Sequence, residues 1–349
     1  MRNRFIILLT LSLITLISCQ PDSTPAEIER ANLELTGAER VIDTTTDDRF
    51  AMPSSILATS EGLYVYDFGA GLIHRFDEDY QLIQSFGSQG NGPEEFQYMA
   101  SLWMFDDEIL GFDPGNAKLI SYSFDGEFLD EQSLSSQQYS QMMEAGSKGE
   151  FYFQSGGHEG TLLTHASLNN STVHHFGESL TSDDDDISIS STRQAIERNQ
   201  VPSFMKNRVM PAVNSERIFS FQLTTGVLQA YNHQYELQWE HLLETDFMDE
   251  VFENYIEANR RMLDRGNIIF LMYASHLEAT DDGVAILFST PSGTPVTIGW
   301  MNNEGTESKI VQYTDLEINS QNISISADRS TIYFNNQFEG EIWRAEWPF

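Results

Sequence analysis

The sequence predicts an all-β chain folded as a six-bladed β-propeller with two partly helical insertions. Three observations carry that prediction. Short runs rich in β-branched and aromatic residues, separated by Gly, Asn, Asp and Ser, fill the body of the chain, while helical periodicity is scarce. One hairpin pattern recurs six times, at intervals near the length of a propeller blade. A strand-like stretch close to the start supplies what the last repeat lacks, so the ring can close without leaving an open edge. The 349 residues, 40% hydrophobic and 12% aromatic, hold enough apolar material for a domain of that size.

The chain begins with Met1-Arg2-Asn3-Arg4, and Phe5 to Ile17 is an unbroken stretch of apolar residues, Ser and Thr ahead of Ser18 and Cys19. A helix of that length rises about 20 Å, short of the bilayer core of about 30 Å, so residues 1–18 read as a secretion signal rather than a spanning helix. Leu16-Ile17-Ser18-Cys19 resembles the bacterial lipobox, in which the cysteine is acylated and becomes the first mature residue. Cys19 is the single cysteine, which excludes disulfides, four-cysteine zinc sites and CxxC redox chemistry. Residues 19–30 then form a lipid-anchored tether, with two prolines in QPDSTPAE and no apolar periodicity. The propeller occupies 31–349.

The clearest blade runs Ile56–Thr59, Gly62–Asp67, Leu72–Asp77 and Gln81–Phe86, four strands joined by tight turns. Third-to-fourth strand hairpins like its last one recur from Ile120, Thr164, Leu228 and Thr297, with a truncated copy from Glu341. Taking Phe76, Phe124, Leu168, Tyr231, Met301 and Ala345 as equivalent positions, the intervals are 48, 44, 63, 70 and 44 residues. The two long intervals contain the insertions. Residues 178–212 hold an acidic run, Asp183 to Asp186, and a helical stretch around Thr192 to Asn199 ended before Pro202. Residues 246–266 read as an amphipathic helix with Asp246 as N-cap, apolar residues at helical spacing, and Gly266 as its stop. The last repeat ends at Phe349 without a fourth strand, so Asn32 to Asp43 is expected to provide the missing outer strand and shut the ring.

Phe86-Gly87-Ser88-Gln89-Gly90-Asn91-Gly92-Pro93-Glu94-Glu95-Phe96 resembles the FGxxGxGPGEF turn that links blades in NHL-type propellers, with Glu94 where those repeats usually carry Gly. With the lipobox and the six units, the chain resembles the lipid-anchored six-bladed propeller proteins common in Bacteroidetes and related bacteria. The resemblance covers roughly residues 30 to 349, and only this one linker matches the motif closely; the later blades have diverged. It implies a protein of the bacterial cell envelope, facing the periplasm or the surface, and it speaks to fold and address more than to function.

Charge narrows the function. With 53 acidic residues against 19 basic ones the chain carries a formal charge of -34, which argues against nucleic acid as a partner because a phosphate backbone is held by clustered Lys and Arg. Loss of residues 1–18 removes Arg2 and Arg4, leaving 17 basic residues. Eight of those 17, Arg193, Arg198, Lys206, Arg208, Arg217, Arg260, Arg261 and Arg265, fall in or beside the insertions. If both insertions emerge on one face, Arg193, Arg198, Arg208, Arg260, Arg261 and Arg265 are candidates for holding a carboxylate or sulfate ligand; the competing reading pairs them with neighbouring acids.

No catalytic motif stands out. The eight histidines show no HExxH or HxH spacing, and His174 and His175, adjacent in a predicted strand, point to opposite faces. There is no GxSxG elbow, Walker loop or dinucleotide fingerprint. Asp183, Asp184, Asp185 and Asp186 can offer oxygen ligands to Ca²⁺, the one cofactor the sequence suggests, but they lack the spaced acids and glycine of a dedicated calcium loop and read as a solvated acidic loop. The leading expectation is a non-catalytic propeller that binds a protein or saccharide on one face of the ring. The alternative is a metal-dependent hydrolase: the resemblance to lactonase-type propellers implies a metal held by Glu, Asn and Asp at the central channel.

Overall fold

The computed structural model of the chain describes residues 28–43, 50–134, 142–181 and 188–349. Six antiparallel sheets stand around a common axis. Blade 1 pairs Pro53–Thr59, Gly62–Asp67, Leu72–Phe76 and Leu82–Phe86 in sequence order, and the same meander recurs in blades 2 to 5. Their innermost strands are Ser101–Phe105, Met143–Ser147, Val209–Val213 and Ala274–Thr280, followed by Ile323–Ile325 of blade 6. Each innermost strand touches the next, and the sixth touches the first. Every third-to-fourth strand hairpin expected from the sequence is present.

Closure differs from the expectation in one respect. Asn32 to Asp43 is not a single outer strand. Glu39–Ile42 pairs antiparallel with Glu341–Glu346 and completes blade 6, as the sequence suggested. Glu29–Leu35 instead lies parallel to Glu307–Tyr313 as a fifth strand on blade 5. The chain changes blade at Gly37, whose φ of 97° is open to glycine and costly for other residues, and the Gly37 amide donates to Asp315 Oδ2 at 2.6 Å. The two terminal segments thus fasten two neighbouring blades.

The linker after blade 1 shows why its sequence is spaced as it is. Ser88–Gln89 and Glu95–Phe96 form a small parallel pair, and the Glu95 carboxylate accepts the Gly92 amide at 2.8 Å. A Cβ on Gly90 would sit 2.1 Å from that carboxylate. Glu94 adopts φ 66°, the left-handed conformation that the usual Gly reaches without strain. The unusual residue keeps the usual backbone.

Both insertions contain helices. Helix α1 spans Ile189–Glu197, slightly earlier than expected, and Ser188 caps it by accepting the Ser191 amide at 3.1 Å. Helix α2 is the single turn Ser203–Lys206. Helix α3 spans Met248–Met262 and runs through a 3₁₀ turn to Gly266, which stops it at φ 80°. Asp246 is not its N-cap: Phe247 holds that position without a side-chain bond. Asp249 and Glu250 in the first turn face the positive end of the helix dipole instead.

Candidate functional site

Strand direction places the insertions. Each connects the outermost strand of one blade to the innermost strand of the next, α1 and α2 between blades 3 and 4, α3 between blades 4 and 5. In four-stranded antiparallel meanders all such connections leave the ring at the same end. The two insertions therefore rise side by side on one face, where they pack on each other. Ile196, Met205, Tyr255, Ile256, Leu263 and Leu271 form a buried apolar cluster with Val251 and Phe252 against it. The result is a helical cap over one sector of the ring.

The same face is tied together by buried polar groups at the ends of second strands. The Asp67 carboxylate accepts the amides of Met52 at 2.8 Å, Gly69 at 2.8 Å and Ala70 at 3.0 Å, and also that of Ala51. Asp113 accepts Gln97 and Gly115 amides at 2.9 Å and the Asn116 amide at 3.2 Å. In blade 6 the Asn335 amide group does the same for Gln321 and Asn322, and donates to the Pro53 carbonyl of blade 1. The two aspartates each join an incoming linker to the turn beyond their own strand, and Asn335 joins an incoming linker to the next blade.

Of the basic residues singled out by sequence, Arg193 Nη1 lies 3.0 Å from Asp264, Arg261 Nη1 lies 3.9 Å from Glu257, and Arg260 donates to Asn199 at 2.8 Å. Arg198 and Lys206 line a groove of about 200 Å³ beside α1. Arg265 ends the 3₁₀ turn. Arg208 sits over the Phe270 ring at 4.5 Å, and its buried Nη1 has no hydrogen-bond partner among the described residues. Burial lowers its pKa. Cys19 and Asp183, Asp184, Asp185 and Asp186 lie outside the described residues. His174 stacks on Tyr235 while His175 bonds Thr164 at 3.0 Å, on opposite faces as expected.

The second feature is a cavity of about 270 Å³ on the axis, lined by the innermost strands of blades 1, 2, 3, 5 and 6. It gathers polar residues that linear spacing had not linked. Glu144 accepts the Trp103 indole N–H at 3.3 Å. Glu278 Oε1 accepts the Ile325 amide at 2.8 Å, with the Ser324 hydroxyl at 3.5 Å. Asn322 Oδ1 accepts the Ile56 amide at 3.0 Å, so its Nδ2 donates to His276 Nδ1 at 3.0 Å. That assigns His276 as a neutral ring with its proton on Nε2.

These environments displace the titrating groups. Burial pushes Glu144 up to about 8, against the hydrogen bond from Trp103. Burial likewise takes Glu278 to about 8, with the Ile325 amide opposing and the nearby Glu144 charge adding to it. His276 falls to about 4 through burial. Among the described residues no three His, Cys, Asp or Glu side chains form a metal-binding group. Sequence reading missed Glu144, Glu278 and Asn322, because they come from three separate blades. The one available signal was their lying in or beside the first strand of a repeat.

Comparison with known proteins agrees with the architecture. Residues 40–276 match the family described as 6-bladed beta-propeller. The structure is similar to that of a Bacteroides fragilis protein named only as a candidate for export, with TM-score 0.53 and 11% identity, covering 90% of this chain and 98% of that one. It is also similar to a streptogramin B lyase, with TM-score 0.50 and 11% identity, covering 88% of this chain and 96% of that one. At such identity both likenesses concern the fold alone. No curated protein matches the sequence.

Proposed function

The chain belongs to the 6-bladed β-propeller family, and from that premise we propose that it is a non-catalytic binding module of the bacterial envelope. It is held to the membrane by lipid on Cys19 and meets a protein or saccharide partner with its capped face. The observation that supports this most is the joining of two separate insertions into one cap, on the face where the linkers also gather. Loops and insertions on a rigid scaffold are where binding surfaces are built. The lipobox and basic, apolar start support the address.

The cap is tested in cells with a photoreactive residue placed at Arg261 on α3, and separately at Leu237 on the outermost strand of blade 4. A discrete adduct from position 261 and none from 237 is expected; equal adducts from both, or none from 261, would count against the cap as the binding face. For the anchor, Cys19→Ser is expected to lose fatty-acid labelling and leave the membrane fraction. Unchanged fractionation with labelling intact refutes lipidation at Cys19.

A second reading, a lactonase-like metal-dependent hydrolase, draws on Glu144, Glu278 and Asn322 sharing the axial cavity. Metal analysis of the purified chain separates the two, since stoichiometric calcium or zinc favours the hydrolase.

A further inference from the structure

The axial cavity has a chemistry that the capped face does not use. Glu144 and Glu278 reach it from blades 3 and 5. Glu278 Oε2 is fully buried and receives no hydrogen bond among the described residues, although Oε1 beside it is satisfied. An acceptor left bare in this way is costly, and Oε2 meets a bound donor once the Glu278 side chain turns toward the cavity. Among the described residues no lysine or arginine lines the cavity, and Asn322 holds His276 in its neutral form. The remaining lining includes Trp103, Phe105, Leu57 and Leu277.

We propose that this cavity binds a small organic ammonium cation, its N–H groups donating to the Glu278 and Glu144 carboxylates and its hydrocarbon part lying against the apolar residues of the lining. A cation in a poorly solvated space gains from carboxylates far more than it does in water. A neutral polar ligand would leave the carboxyls to compete for protons, whereas a cation favours their ionised form. Binding therefore releases protons. The titratable groups lining the cavity are Glu144, Glu278 and His276; the strands of blades 1, 2 and 6 contribute none. This site is separate from the capped face, so cross-linking at Arg261 can succeed or fail independently of it.

The test is calorimetric titration of the full chain, purified in detergent, with n-butylammonium. Saturable one-to-one binding is expected near pH 9, weakening about 100-fold near pH 6 if one carboxyl with a pKa of about 8 must ionise. n-Butanol should not bind. Glu278→Gln and Glu144→Gln, which keep the side-chain shape, should each weaken binding about tenfold or more while melting cooperatively. Should one variant fail to fold, the other and the wild-type pH dependence still decide the matter. The proposal is overturned if butylammonium fails to saturate, if butanol binds equally well, if both folded variants bind as wild type does, or if calcium binds stoichiometrically where butylammonium does not.

Discussion

Asp113 and Glu278 are both buried carboxyl groups near the propeller's interior, yet their surroundings differ in kind. Asp113 accepts three backbone amides and the Asn116 side-chain amide, so every part of the group is occupied by neighbouring linkers. Glu278, which lines the axial cavity, uses one oxygen on Ile325 and Ser324 and leaves the other buried with no hydrogen bond among the described residues. A carboxylate saturated by backbone donors holds the chain together. One short of donors, in a residue that lines a cavity, has bonding capacity left over.

The sharpest way to break this comparison is to remove the saturated member. Asp113→Ala strands the amides of Gln97, Gly115 and Asn116, and is expected to destabilise the fold by about 3 kcal/mol or more in urea unfolding. A loss under about 1 kcal/mol would mean that water replaces the carboxylate easily and that the group is not architectural.

Glu278→Gln should act in the opposite direction, increasingly as pH rises above 4.5. In the unfolded chain Glu278 ionises near 4.5, in the folded chain near 8, so between these values the folded state holds the extra proton and stability falls as pH rises. That contribution is fully present below 4.5 and is lost as pH passes 8. His276, lowered from 6.5 to about 4, gives the reverse slope, stability rising with pH between those values. The carboxyl effect is therefore cleanest from 6.5 to 8. Glutamine keeps an acceptor for the Ile325 amide and carries no charge. The variant should be more stable than wild type by roughly 1–3 kcal/mol near pH 9 and equal to it near pH 5. Parallel melting curves for the two proteins across pH would show that Glu278 is not buried as described.

The same contrast explains what was legible in the sequence. Tyr66-Asp67 and Phe112-Asp113 each end a second strand just before turn residues, a repeated pattern visible once the blades are aligned. The blades themselves were legible because period-two strands and Gly, Asn and Asp turns are local signals. Glu144 and Glu278 carry no such mark. They meet only because a closed ring brings first strands of different blades to one axis, and nothing in Met143-Glu144-Ala145 differs from an edge strand. The closing segment failed in part for a related reason. Alternation reveals a strand but not its partner, so Glu29–Leu35 gave no sign that it would join blade 5 in parallel. Arg208 was singled out by composition, but the aromatic ring beneath it, Phe270, comes from the linker that follows the other insertion.

A third carboxylate, on the cap, marks the small end of the scale. Asp264 is 74% exposed and pairs with Arg193, itself 44% exposed, at 3.0 Å. Water screens both charges, and fixing two long side chains offsets much of the attraction, so Arg193→Ala should cost under about 1 kcal/mol. It should also leave the cap in place, because α1 and α3 meet through Ile196, Tyr255, Ile256 and Leu263 rather than through charge. Urea unfolding of the variant, together with protease resistance of the 178–212 segment, checks both halves of that statement. Should the segment become protease-sensitive on losing one exposed arginine, the cap would be held by its ion pairs, and its basic residues would be committed to structure instead of being free for a partner.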